Sequence, residues 1–180
     1  GGVSSLEDMS KILLAGAEKV SVNSLAVAKP ALIGEGARAF GSQCIVLGMD
    51  PVKTDDLAKC PSGYEITTRG FRNRTGIDAV EWAKRAEGEG AGEIVANSVD
   101  ADGTRAGFQL EITQLIADAV SIPVVASGGA GKPEHLADAF NIAHADAAIV
   151  AGMLHTGEYT IKSIKDRLHE LNVPVRMCYE

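Results

Sequence analysis

Short apolar runs of strand length recur along this chain, and a stretch with helical spacing separates each from the next. That alternation restricts the fold more than any other feature of the sequence. The strand candidates are 19–23 (KVSVN), 44–50 (CIVLGMD), 93–98 (EIVANS), 123–127 (PVVAS) and 147–151 (AAIVA). The amphipathic stretches are 6–15, 30–40, 78–87, 111–119, 134–140 and 161–171. Strand and helix in turn predict βαβ units and a parallel sheet, an α/β fold. Most strand runs are apolar at consecutive positions, which predicts strands buried between two layers. With 180 residues, 46% of them hydrophobic, the chain is long enough for one domain over 1–180 with a sizeable core.

Local punctuation agrees with this division. Gly16, Gly41 and Gly90 follow helical stretches, where a C-terminal glycine takes positive φ, and Ser5 and Pro133 stand at helix starts. One connection, from Pro51 to Gly76, is long and carries Arg69, Arg72 and Arg74, with a short hairpin predicted around 64–68. An internal repeat is also present. Gly1-Gly2-Val3-Ser4-Ser5-Leu6-Glu7 echoes Gly128-Gly129-Ala130-Gly131-Lys132-Pro133-Glu134, with the following strands at nearly the same offset. A unit repeated across a parallel sheet suggests a barrel with approximate two-fold symmetry, whose chemistry sits at strand C-termini.

Several function classes fall away. A net charge of −7 lacks the basic character of a non-specific nucleic-acid binder. No apolar run reaches bilayer length, so no membrane span is expected. Cys44, Cys60 and Cys178 are odd in number with no CxxC pair, which argues against a disulfide framework or structural zinc and fits a reducing, cytoplasmic setting. The four histidines show no HExxH spacing, so neither a metal nor another cofactor is expected. The chain opens without an initiator Met, and it is expected to be a piece of a longer protein.

The residues left over point to phosphates and proton transfer. Ser127-Gly128-Gly129-Ala130-Gly131 lies between a strand and a helix, where glycines let backbone approach an anion and helix amides face it. Neither a dinucleotide fingerprint nor a P-loop fits these positions, because Gly129-Ala130-Gly131 runs on to Glu134 and Lys132 is followed by Pro133. The second copy at Gly1-Gly2 suggests a substrate with two phosphates. Asp50 ends one strand, and Asp100 and Asp102 follow another; carboxylates at barrel strand ends read as catalytic, while a turn role competes for Asp100. Asn23 and Ser24 leave a third strand end as candidates for phosphate or hydroxyl contacts or as a helix cap. Lys19 and Glu93 sit at the opposite strand ends, as a stability ion pair would. The three arginines read as phosphate clamps or as a solvated run, and Trp82 as helix-to-sheet packing.

Taken in order, GGV at 1–3, KVSVNS at 19–24, FGSQCI at 40–45 with Asp50, GAGEI at 90–94, NSVDADGT at 97–104 and ASGGAG at 126–131 with Glu134-His135 resemble the cyclase subunit of imidazole glycerol phosphate synthase. The resemblance implies a (β/α)8 barrel acting in histidine biosynthesis. Its substrate is a ribulosyl-formimino aminoimidazole carboxamide ribonucleotide with a phosphate at each end. A partner glutaminase supplies ammonia through the barrel, and the products are imidazole glycerol phosphate and the aminoimidazole carboxamide ribotide. Carried over by residue, Asp50 and Asp102 are active-site aspartates. Gly2, Asn23 and Ser24 hold one phosphate, and Gly103, Gly129 and Gly152, beside Ser127 and Gly128, hold the other. Lys19 and Glu93 belong to a charged ring at the ammonia entrance.

The resemblance begins at the end of the family's third strand, so the first-strand catalytic Asp has no counterpart. About five strands then predict an incomplete (β/α)8 TIM barrel whose apolar edges, KVSVN and AAIVA, pair with another chain in a homo-oligomer. Two alternatives stay open: a phosphate-binding domain without turnover, and the sister phosphoribosyl isomerase of the same pathway, which needs no ammonia.

Overall fold

The computed structural model describes residues 2–177; Gly1 of the first glycine pair and Cys178 lie outside the described residues. In chain order the elements are α1 (Leu6–Leu14), β1 (Val20–Val22), α2 (Ser24–Ala28), α3 (Ala31–Phe40), β2 (Ile45–Lys53), β3 (Tyr64–Thr68), β4 (Asn73–Asp78) and α4 (Ala79–Glu89). They continue with β5 (Glu93–Asn97), α5 (Leu110–Ala117), β6 (Val124–Ser127), α6 (Pro133–Asn141), β7 (Ala147–Ala148), α7 (Gly152–His155) and α8 (Ile161–Glu170).

Five strands lie parallel in the order β1-β2-β5-β6-β7. Each new parallel strand is added beside the one before it, with no reversal of order. That is the arc of a barrel and not the doubly wound sheet, whose order turns back at a switch point. Among the described residues β1 and β7 do not meet, so the sheet is open. The predicted strands are all present, but the last is shorter than expected. β7 pairs through Ala147 and Ala148, after which Ile149 N donates once more to Ala126 O at 2.9 Å.

The long connection is more ordered than its sequence suggests. β2 runs nine residues; Val46 to Met49 pair with β5, and Asp50 to Lys53 then pair antiparallel with β3. β3 pairs in turn with β4. The segment expected to hold a short hairpin is therefore one strand in the middle of an antiparallel extension. All five residues of β3 are buried. Glu65 is tolerated there because Arg74 donates to it at 2.7 Å and Gly76 N at 3.2 Å.

Burial alternates along β1 and β5, whereas β2 and β6 also bury Val46 and Val125 on the opposite face, so the expectation of strands buried between layers is met only in part. Val20, Val22, Ile45, Leu47, Met49, Ile94, Ala96 and Val124 form one apolar core with Met9, Ile33, Trp82, Ala83, Ala86, Ile112 and Ile116 from the helices. Trp82 is buried in that core, as expected for helix-to-sheet packing. A second, more alanine-rich core gathers Ala126, Leu136, Ala137, Ala139, Met153, Ile164 and Leu168. Residues of the opposite parity, Ser21, Asn23, Val46, Gly48, Asp50, Val95, Asn97, Val125 and Ser127, belong to neither core. A period of two sends them to the other face of the sheet.

The internal repeat is real in the backbone. Gly2 and Gly129, its second glycines, have φ of +90° and +104°, which only glycine adopts freely. Ser5 and Lys132 then cap nine-residue helices with almost identical dihedrals, φ −156° with ψ 167° and 160°. Past the edge strands, Asn23 (φ −127°, ψ −86°) and Ala151 (φ −130°, ψ −63°) each lead into a short helix the sequence did not announce, α2 and α7. Helix boundaries otherwise follow expectation: Ser5 Oγ accepts from Asp8 N at 3.1 Å, Pro133 opens α6, and Gly90 closes α4 in the left-handed conformation.

Candidate active site

The C-terminal ends of four adjacent parallel strands carry one polar side chain each, and these side chains are joined. Asn23, after β1, donates from Nδ2 to Asp50 Oδ2 at 2.6 Å. Asn97, ending β5, donates from Nδ2 to Asp50 Oδ1 at 3.3 Å. Ser127, ending β6, donates from Oγ to Asn97 Oδ1 at 3.0 Å. Register explains the meeting, because Asn97 pairs with Ser127 across β5 and β6, and Asp50 follows Met49, the partner of Ala96.

This chain of hydrogen bonds lines a cleft of about 560 Å³, together with Gly2, Ser21, Ser24, Gly48, Gly70 and Val95. Asp50 is half-buried there. Burial pushes its carboxyl above the ordinary value, the Asn97 and Asn23 amides pull it back, and the negative charge of Asp102 adds a smaller upward push. Both carboxyl oxygens accept amide hydrogens, an arrangement that favours the ionised form. Serving Asp50 also fixes how Asn23 lies. Its Nδ2 must face the carboxylate, which leaves Asn23 Oδ1 buried with no partner among the described residues.

The structure thus brings together Gly2, Asn23, Ser24, Asp50 and Ser127. Asn97 was missed as a site residue, although counting by two from Glu93 along the strand reaches it. Ser24 begins α2, and its hydroxyl accepts from Arg69 N at 2.9 Å, so its own proton is free for another acceptor. The antiparallel extension therefore touches the cleft through its tip, where Arg69, Gly70 and Phe71 all have positive φ. Of the three arginines, Arg74 is committed to Glu65.

The other predicted positions lie further along the same rim. Asp102 and Gly103 are exposed, and Gly152 is exposed at the start of α7. Asp100 accepts from Lys53 N at 2.9 Å and so tethers the loop after β5 to the outer end of β2, a turn-like structural role. The glycine-rich turn is packed against that loop: a Cβ on Gly129 would overlap Gly107 O, and Gly107 N donates to Gly129 O at 2.8 Å. His135 holds the turn from below, its Nδ1 accepting from Gly131 N at 3.1 Å. Burial lowers its pKa, which suits a neutral acceptor. At the opposite rim Lys19 and Glu93 are ion-paired across the start of β2, as expected.

A family model described as histidine biosynthesis protein matches residues 1–160. Among curated relatives, the imidazole glycerol phosphate synthase subunit HisF of Desulfatibacillum aliphaticivorans is 56% identical over 98% of this chain and 68% of its own length. The HisF subunit of Syntrophobacter fumaroxidans is 57% identical over 99% of this chain and 69% of its own length. That of Solidesulfovibrio magneticus is 54% identical, with 98% and 68% covered. Agreement at this level over almost every residue, added to a parallel arc with its polar residues at the strand C-termini, settles the relationship: the chain belongs to the histidine-biosynthesis protein family, among the HisF subunits of imidazole glycerol phosphate synthase.

Proposed function

We propose that the cleft carries the ammonia-dependent cyclisation expected of this family, with Asp50 as its proton-transferring carboxylate. The observation that carries the reading is the half-buried Asp50 held by two amide donors inside a cleft that also holds Gly2, Asn23 and Ser24. Closing an imidazole ring with ammonia requires a proton to leave the incoming nitrogen and another to reach the departing one. An ionised carboxylate at a strand end takes the first, and such a base contributes about 10²–10⁴-fold. Asp102, close enough for its charge to act on Asp50, is the second carboxylate of the proposed pair.

A substrate with a phosphate at each end matches the repeat. Gly2, the Ser24 hydroxyl and the amides opening α2 face one phosphate; Gly103, Gly129 and Gly152 serve the other. Asn23 gives one amide hydrogen to Asp50, and the second hydrogen of Nδ2 is the donor left for the anion. At the opposite rim, Lys19 and Glu93 stand where ammonia from a glutaminase subunit would enter. The outer edges of β1 and β7 are unpaired among the described residues, which supports self-association through them.

The test is turnover of the bisphosphate substrate by the purified chain with saturating ammonium at alkaline pH. Both expected products should form, and Asp50→Asn should slow their formation by about 10²–10⁴-fold. Tight binding without product would support the second reading, a phosphate-binding domain, which the exposed position of Asp102 favours. Light scattering across a dilution series checks self-association; a monomer at every concentration would exclude it.

A further inference from the structure

We propose that Asn97 is a positioning residue for Asp50, and that Ser127 acts on the same carboxylate through it, its hydroxyl bracing the far end of the Asn97 amide. The proposal deepens the cyclase reading and rests on Asp50 being the reacting carboxylate. An asparagine amide has two orientations of almost the same shape but opposite polarity. In one, Nδ2 donates to Asp50 Oδ1, as observed at 3.3 Å. In the other, an oxygen with no hydrogen faces the carboxylate. The acceptor-only carboxylate selects the first orientation, and Ser127 Oγ, donating to Asn97 Oδ1 at 3.0 Å, braces the other end of the amide in it.

The neighbouring backbone is shaped around this amide. A Cβ added to Gly128 would come within 3.0 Å of Asn97 Oδ1 and 2.9 Å of Ser98 O. The first glycine of the turn therefore makes room for the amide as well as supplying its φ of +85°. A hydroxyl has one hydrogen. While Ser127 gives it to Asn97, it cannot also give it to a phosphate oxygen, so Ser127 contributes to the alignment of Asp50 and not to anion binding.

Titration of the Asp50 carboxyl by ¹³C NMR, on the full chain labelled at aspartate, tests this without substrate; Asp50→Asn assigns the signal. Removing a donor from a carboxylate favours its neutral form. Asn97→Ala should move the Asp50 midpoint up by about one pH unit, the size expected for one hydrogen bond to a charged group. Ser127→Ala should move it in the same direction by less, and the double variant should match Asn97→Ala, because Ser127 acts only through that amide. Ser127→Thr keeps the donor and should leave the midpoint in place. An unmoved midpoint in Ser127→Ala, or effects that add in full, would overturn the proposal. Ser127→Ala removes a single hydroxyl and decides the matter even if Asn97→Ala does not fold. In turnover, Ser127→Ala should lower kcat with KM unchanged, whereas a phosphate ligand would raise KM. Absence of turnover in the unaltered chain would count against the cyclase reading alone, since the titration needs no substrate.

Discussion

The two rims of the parallel sheet use polar groups in opposite ways. At the C-terminal rim, Asn23, Asp50, Asn97 and Ser127 place one formal charge among neutral donors, half-buried and hydrogen-bonded in sequence. At the N-terminal rim, Lys19 and Glu93 place two full charges against each other, with 45% and 19% of their side chains exposed. An ion pair open to solvent gains little, because water screens it and holding two long side chains costs entropy. A carboxylate that burial has partly stripped of water depends on each hydrogen bond it keeps. The contrast separates a rim where loss of one atom alters chemistry from a rim where loss of a whole side chain is tolerated.

The sharpest way to break that contrast is Asp50→Asn. It keeps the shape and removes the base, and it should lower turnover with ammonium by about 10²–10⁴-fold with substrate binding retained, read by steady-state kinetics against calorimetry. In the unaltered chain, the raised pKa of Asp50 sets the acid limb of the kcat/KM profile. Because burial disfavours the charged form, that limb should lie above the usual carboxylate range, activity being lost as pH falls through it. A limb at or below that range would remove burial from the account.

Next in size is Gly129→Ala. Its Cβ would meet Gly107 O in a backbone of positive φ, so the turn and the facing loop must part, and urea unfolding should show a loss of about 1–3 kcal/mol. Asn23→Ala removes the donor on Asp50 Oδ2 and should cost about 1–3 kcal/mol of transition-state stabilisation, seen in kcat/KM. The smallest effect belongs to the other rim. Lys19→Ala should change unfolding stability by less than about 1 kcal/mol, with any change shrinking as salt is added. A larger, salt-insensitive loss would mean that the two rims are not as different as their burial suggests.

Most of this architecture was readable in the residues, and the parts that were not have physical reasons. Strand–helix alternation and glycine stops located the parallel strands because they depend on local chemistry. The extension of β2 to Lys53 was hidden, since Pro51 interrupts its apolar run and pairing with β3 depends on residues a dozen positions away. The short helices α2 and α7 carry too few residues to show a period. The gathering of both cores on one face of the sheet was obscured by Val46, Val95 and Val125, apolar residues of the opposite face. At the site, Asp50, Asn23 and Ser24 stood out as polar residues ending apolar runs. Asn97 did not, because it lies within the strand run 93–98 and the acidic residues after that run drew the reading instead.

The passage of β2 from parallel to antiparallel pairing takes place at Asp50 itself, opposite Thr67, whose hydroxyl donates to Asp50 O at 2.8 Å. The last parallel rung on that strand is Met49 with Ala96. Without β3, the segment bearing the carboxylate would be held past Met49 only from the loop after β5, by Val99 N on Pro51 O at 3.0 Å and by Asp100 on Lys53 N. The antiparallel ribbon works as a splint that carries stiffness past the mouth of the sheet. Shortening or shuffling it, although it contributes no acidic group to the cleft, would blur the aim of Asp50 before it unfolded anything.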